Sequence, residues 1–123
     1  MFTNLIKAED FAGVWRVYKS NDTIENKVRL GNPEDDLFIE VNNGDFTIYP
    51  RNEKDKEHSA EFSCNEVVGN TITCNGKSRT DDSSFKLKLE MNSSKNEITI
   101  TIIPNEATEM MILQARRYNE PGN

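Results

Sequence analysis

Alternation of apolar and polar residues recurs along this chain and restricts its fold more than any other feature. Two alternating segments flank Asn43-Gly44, and Asn-Gly is the strongest short signal for a β-hairpin. With a two-residue type I′ turn at that position, Val41 pairs with Phe46, and Ile39 pairs with Ile48. The apolar side chains of both strands then share one face. Pattern and turn chemistry therefore predict the same hairpin.

A second hairpin is predicted further along the chain, where residues 85–91 and 98–102 also alternate. If residues 92–95 form a four-residue loop, the opposing pairs are Leu89 with Ile98, Leu87 with Ile100 and Phe85 with Ile102. One face of this hairpin is apolar, and the other carries Lys, Glu and Thr. Such a contrast is typical of an antiparallel sheet with one solvated side and excludes a parallel sheet buried on both faces.

Eight segments in all have strand character, and residues 7–11 have the character of one helical turn. The eight predicted strands are residues 14–19, 37–41, 46–49, 60–67, 71–74, 85–91, 98–102 and 110–118. An up-and-down barrel pairs its first strand with its last, and an arginine over an indole ring is one way to cap such a barrel. Trp15 lies on the first strand, and Arg116 and Arg117 lie on the last. We therefore predict an all-β fold, an eight-stranded antiparallel up-and-down (meander) barrel forming one domain over residues 1–123.

Charge and hydropathy exclude several classes of partner. The chain has 21 Asp and Glu against 15 Lys and Arg, which gives a formal net charge of -6 and opposes binding to nucleic acid or to an anionic membrane surface. No segment reaches the roughly 18–20 apolar residues of a membrane-spanning helix, and the first ten residues lack the pattern of a signal peptide. A soluble protein is expected. Two locations stay open: the cytoplasm, or a secreted or periplasmic location if Met1 replaces a removed signal.

The two cysteines fall on neighbouring predicted strands. If residues 68–70 form a three-residue loop, Cys64 lies opposite Cys74, with Phe62 and Ile72 on the same face. A cross-strand disulfide is then sterically possible. The alternative is a pair of free thiols that pack as small core residues.

No constellation for catalysis or metal binding is found. His58 is the only histidine, and it follows a highly charged segment at residues 51–57 that is typical of a solvated loop. Motifs for a nucleophile and glycine-rich phosphate loops are absent from the sequence. Two cysteines without a nearby histidine do not complete a zinc site. We expect no catalytic residue, no metal, no cofactor and no enzymatic activity.

The first strand carries a family resemblance. Phe-Ala-Gly-Val-Trp-Arg-Val, at residues 11–17, resembles the Gly-x-Trp opening of the calycins, which include lipocalins, fatty-acid-binding proteins and avidins. Residues 41–48 and 115–118 are also similar to fatty-acid-binding proteins, in which Arg-x-Tyr on the last strand holds a ligand carboxylate. The resemblance implies that role for Arg116 and Tyr118. Residues 20–35 contain Gly31 and Pro33 and depart from the helical lid of that family, so a compact lipocalin-like barrel is the better match.

The orientation of the last strand is left open by its pattern. In one phase Met110, Ile112 and Gln114 face inward, together with Arg116 and Tyr118. In the other phase Met111, Leu113 and Ala115 face inward, together with Arg117. The second phase makes the cleaner core, because the first places the Gln114 amide inside the barrel. The structural alternative to a carboxylate site at Arg116 and Tyr118 is a contact in which Arg116 or Arg117 closes the barrel against Trp15.

An eight-stranded barrel either fills its interior with side chains or holds one small ligand. The first hypothesis is therefore a non-enzymatic binding protein for a small hydrophobic ligand, which enters at the end bordered by residues 20–35. The predicted ligand contacts are Trp15, Ile39, Phe46, Phe62, Phe85, Leu87, Ile100, Arg116 and Tyr118. The alternative is a filled barrel that binds a protein partner through its loops or its acidic outer face. Monomer and homodimer are both compatible with the sequence.

Overall fold

Eight antiparallel strands close into one barrel, and each strand pairs with its neighbours in sequence order. A computed structural model describes residues 5–20, 36–50, 60–78, 84–104 and 110–118. The strands are β1 (Gly13–Ser20), β2 (Leu37–Asn42), β3 (Asp45–Pro50), β4 (Ala60–Cys64), β5 (Thr71–Ser78), β6 (Ser84–Met91), β7 (Glu97–Pro104) and β8 (Met111–Arg117). A 3-10 turn at Ala8–Phe11 precedes β1. The predicted all-β meander barrel is confirmed, including closure of β1 on β8.

The β2–β3 hairpin has the register predicted from Asn43-Gly44. Val41 pairs with Phe46, and Ile39 pairs with Ile48. The two turn residues have positive φ angles of 50° and 87°, as a type I′ turn requires. The Asn-Gly sequence therefore sets this register directly.

The β6–β7 hairpin keeps the predicted faces, but the predicted register is wrong by two residues. Met91 pairs with Ile98 and Leu89 with Ile100. The loop lies one residue later than predicted because the Asn92 side-chain oxygen accepts hydrogen bonds from the backbone N–H groups of Asn96 and Glu97. A shift of two residues preserves which side chains face inward, so the apolar face is unchanged.

The β4–β5 connection also differs from the predicted loop. β4 ends at Cys64, and Val68 and Thr71 form an isolated bridge around a two-residue turn at residues 69–70. Gly69 occupies this turn with a φ of 65°. The predicted pairing of Cys64 with Cys74 is nevertheless present, and the structure joins the two residues by a disulfide.

The barrel core consists of inward-facing apolar side chains from all eight strands, together with Phe11 of the 3-10 turn. Its fully buried members are Phe11, Trp15, Val17, Ile39, Phe46, Phe62, Ile72, Cys74, Leu87, Leu89, Met91, Ile98, Ile100, Leu113 and Ala115. Burial of Leu113 and Ala115 identifies the phase of β8, in which Met111 and Arg117 also face inward. Phe62 packs across Gly76, where a side chain on β5 would collide with its ring.

The two ends of the barrel are built differently. At one end lie the 3-10 turn and the short turns at residues 43–44, 69–70 and 92–96, and we call this the capped end. The strand ends that connect through residues 21–35, 51–59, 79–83 and 105–109 all lie at the opposite end, which we call the far end. The described residues contain no helix long and apolar enough to span a membrane.

Candidate functional site

The capped end is closed by Arg117, whose guanidinium lies over the Trp15 ring at 4.3 Å from its centroid. Its Nη1 donates to the Ala12 carbonyl at 2.9 Å, Nε donates to the Lys95 carbonyl at 3.2 Å, and Nη2 donates to the Asp10 carbonyl. Desolvation by burial lowers the pKa of Arg117, whereas the charge of Asp10 opposes that effect. This arginine thereby joins the 3-10 turn, the β6–β7 turn and the last strand.

Gly13 makes room for this cap. Its φ is +124°, which side-chain-bearing residues rarely adopt, and a Cβ at this position would lie 3.2 Å from Arg117 Nη1. Trp15 is fully buried, and its indole Nε1 donates to the Phe11 carbonyl at 2.9 Å. The Gly-x-Trp motif is therefore explained locally, because the glycine admits the guanidinium and the tryptophan provides the ring beneath it.

A second set of polar contacts fixes the 3-10 turn to the same end. The Asp10 carboxylate accepts a hydrogen bond from the Lys7 backbone N–H at 2.8 Å and forms an ion pair with Lys95 at 3.1 Å. The hydrogen bond from Lys7, followed by the contact with Lys95, lowers the pKa of Asp10. The Lys95 ammonium also donates to the Leu5 carbonyl at 3.3 Å. These contacts seal the barrel beside Arg117.

Arg116 and Tyr118 do not reach the interior, so the carboxylate site that the family resemblance implied is not formed there. Arg116 lies on the outer face, with its side chain 63% exposed and its Nε 3.0 Å from Glu97 Oε1. Its guanidinium stacks over the Tyr18 ring. Tyr118 also packs outside, under the guanidinium of Arg16 at 3.8 Å. Because side chains alternate along the strand, Arg116 and Tyr118 lie on the face opposite to that of Ala115 and Arg117.

The Arg16 guanidinium carries a further contact on the outer face. It donates two hydrogen bonds, at 3.0 and 3.2 Å, to the two carboxylate oxygens of Asp36. Asp36 is fully buried at the start of β2, and its hydrogen bonds raise the pKa of Arg16. This ion pair connects Asp36, the residue immediately before β2, to Arg16 on β1.

The interior lining is partly accessible towards the far end. Five inward apolar side chains there are only partly buried, and we call them the far-end ring: Leu37, Ile48, Phe85, Ile102 and Met111. Beneath the ring, Leu87 and Ile100 are 2% exposed, and Trp15 at the capped end is fully buried. Val41 and Cys64 are also partly buried inward residues, but they lie next to turns of the capped end. The structure thus presents an apolar surface at the far end above a packed base.

Seven of the nine predicted ligand contacts face the interior together. They are Trp15, Ile39, Phe46, Phe62, Phe85, Leu87 and Ile100. Phe62 and Phe85 meet edge to face, with ring centroids 5.3 Å apart. Met111 was missed as a candidate because the pattern of β8 permitted two phases. The signal in the sequence that favoured the observed phase is that it buries Leu113 and Ala115, whereas the other phase would bury the Gln114 amide.

The outer face carries two further features. A groove of roughly 210 Å³ near the capped end is lined by Tyr18, Asn70, Glu90, Met91, Asn92, Glu97, Ile98, Thr99 and Gln114.

On β2 and β3, Phe38 stacks on Tyr49 with ring centroids 5.3 Å apart, and the Tyr49 hydroxyl donates to Glu40 at 2.7 Å. Desolvation and the bond to Glu40 raise the pKa of Tyr49 to about 12.

Within the described ranges, no three His, Cys, Asp or Glu residues cluster in a way that could hold a metal ion. His58 and residues 21–35 lie outside the described residues.

The described strands define the class of this protein as a small, closed, eight-stranded antiparallel meander β-barrel. No family model and no curated protein matches the sequence. Among solved structures, the crystal structure of a mutant of the fluorescent protein UnaG is similar at 15% sequence identity and a TM-score of 0.48, covering 91% of this chain and 99% of that chain. The fold assignment rests on the strands, their register and their closure.

Proposed function

We propose that this protein is a non-enzymatic binding protein for a small hydrophobic ligand, which enters the barrel at the far end. The observation that carries the proposal is the far-end ring of Leu37, Ile48, Phe85, Ile102 and Met111. These inward side chains are apolar and retain solvent exposure above the buried residues of the core. Covering them with an apolar ligand would remove that surface from water, which supplies the driving force for binding.

The closure of the capped end supports the direction of entry. Arg117 and Trp15 occupy that end together with the Lys95–Asp10 ion pair. A ligand entering there would have to break several hydrogen bonds at once. At the far end it would meet hydrocarbon side chains, which fits the usual lining of a small-molecule pocket.

A titration with the neutral dye N-phenylnaphthylamine tests the proposal, because its fluorescence rises in an apolar site. We expect saturable binding to the unmodified protein and at least a tenfold higher Kd in Ile102→Glu, which places a charge in the far-end ring. Ile103→Glu is the matched control, since the adjacent residue faces outward and is 37% exposed. Absence of saturable binding, or equal losses in the two variants with unchanged folding by circular dichroism, would reject the proposal.

Native mass spectrometry of protein from its own source, before and after organic extraction, tests the same function without a chosen probe. A released hydrophobic compound would support it and identify the ligand. A mass equal to that of the bare chain in both samples would favour the second candidate.

That second candidate is a filled barrel that binds a protein partner. It is favoured by Ile103 and Met110, which are 37% and 49% exposed. Because Ile102 pairs with Met111, these two residues occupy adjoining outward positions at the far end. Ile103→Glu distinguishes the two functions, since it should weaken a protein contact and leave dye binding unchanged.

A further inference from the structure

We propose that the barrel interior accepts only the uncharged part of a ligand, so that the bound molecule is neutral or keeps its charged group outside the far-end ring. This inference rests on the proposed function and specifies the chemistry of the same site. It reverses the arrangement that an inward Arg-x-Tyr pair would create, in which an anionic group lies deepest in the barrel.

The first step concerns the arginine that faces inward. Arg117 directs its donors to the carbonyls of Asp10, Ala12 and Lys95 and lays its face on Trp15. A carboxylate that took these donors would leave the three carbonyls without their partner. Arg117 is therefore a structural cap and an unsuitable receptor for an anion.

The second step concerns the arginines on the outer face. Arg116 is held between Glu97 and the Tyr18 ring. Arg16 is held between Asp36 and the Tyr118 ring. Each guanidinium has a carboxylate and an aromatic partner on the side of the sheet away from the core.

The third step concerns the backbone. β1 pairs with both β2 and β8, so the sheet closes, and the N–H groups of its paired residues enter the ladder hydrogen bonds. In a closed barrel these groups lie within the wall and do not point at the interior. An anion placed beside Leu87, Leu89 or Ile100 would therefore lose its hydration and meet hydrocarbon.

A matched pair of dyes tests this inference: N-phenylnaphthylamine, which is neutral, and anilinonaphthalene sulfonate, which has the same rings and one added sulfonate. The sulfonate is measured by its displacement of the neutral dye in competition calorimetry, so that only the barrel site is compared. We expect its Kd to be at least tenfold higher, which corresponds to about 1.4 kcal/mol. Arg116→Gln should leave the ratio of the two Kd values unchanged, because Arg116 lies outside.

Three outcomes would overturn the inference. Equal affinity of the two dyes would show that the interior tolerates an anion, although the proposed function would stand. A selective loss of sulfonate binding in Arg116→Gln would assign that arginine to the ligand. Failure of both dyes to bind would instead reject the proposed function, and this inference with it.

Discussion

Arg117 and Arg116 are neighbours in sequence, yet alternation gives them opposite roles. Arg117 faces the core and hydrogen-bonds three backbone carbonyls, whereas Arg116 lies on the surface with its side chain 63% exposed. We predict that Arg117→Met lowers the free energy of unfolding by about 2–4 kcal/mol, because it removes the hydrogen bonds to three partly buried carbonyls and the cation over Trp15.

Urea unfolding followed by the fluorescence of Trp15, the only tryptophan, measures this loss. Arg116→Met is the matched control, and we expect it to cost no more than about 1 kcal/mol, as is usual for an exposed ion pair. Similar losses in the two variants would contradict the structural role assigned to Arg117.

Tyr49 provides a pH-dependent prediction. Its pKa is raised to about 12 by desolvation and by its hydrogen bond to Glu40. Because the folded pKa lies above the unfolded value of about 10, the stabilisation is complete below that value and is lost as the pH rises through about 12. In an ultraviolet titration, Glu40→Gln should lower the pKa of Tyr49 by removing the carboxylate charge. A titration curve identical to that of the unmodified protein would refute the contribution of Glu40.

At the scale of strands, we expect the disulfide to stabilise the pairing of β4 with β5. β4 has five residues, and Cys64 at its end is bonded to Cys74 on β5. Reduction should lower the free energy of unfolding by about 2–3 kcal/mol, because a cross-link limits the unfolded chain. Urea unfolding with and without a thiol reductant measures the change. The double variant Cys64→Ala/Cys74→Ala should be insensitive to the reductant; an equal response in that variant would assign the effect elsewhere.

The hairpins show what strand patterns predict and what they miss. Asn43-Gly44 specifies a two-residue turn, so the register of β2 on β3 follows from local backbone chemistry. The β6–β7 loop depends instead on the Asn92 side chain, which bonds two N–H groups beyond the loop. Alternation has a period of two and therefore does not distinguish registers that differ by two residues.

The candidate site was only partly predictable for a related reason. The inward faces of β2 to β7 followed from alternation, which gave Phe62, Phe85 and Leu87 correctly as interior residues. On β8, however, both faces carry apolar residues, and only the polar Gln114 favours the observed phase, which buries Leu113 and Ala115. The contacts of Arg117 with Ala12 and Trp15 join the two ends of the chain, and no local pattern contains them.

At the scale of the whole barrel, Arg117 and the Lys95–Asp10 ion pair close the capped end, while partly buried apolar side chains form a ring at the far end. This difference predicts where a bound ligand protects the backbone. On addition of N-phenylnaphthylamine, hydrogen exchange should slow at amides beside the far-end ring, such as those of Ile102 and Leu113. The amides of Met91 and Arg117, which donate to turn carbonyls at the capped end, should exchange at unchanged rates.

Hydrogen exchange monitored by nuclear magnetic resonance resolves these sites individually. Ile102→Glu serves as the control, because loss of binding should abolish the local protection at the same dye concentration. Uniform slowing over the whole barrel in the unmodified protein would indicate stabilisation against global unfolding and would not locate the ligand, so conditions that favour local opening are required. Under those conditions, protection centred on the capped end would contradict entry at the far end, because a ligand bound there would have to replace the contacts of Arg117 with Asp10 and Ala12.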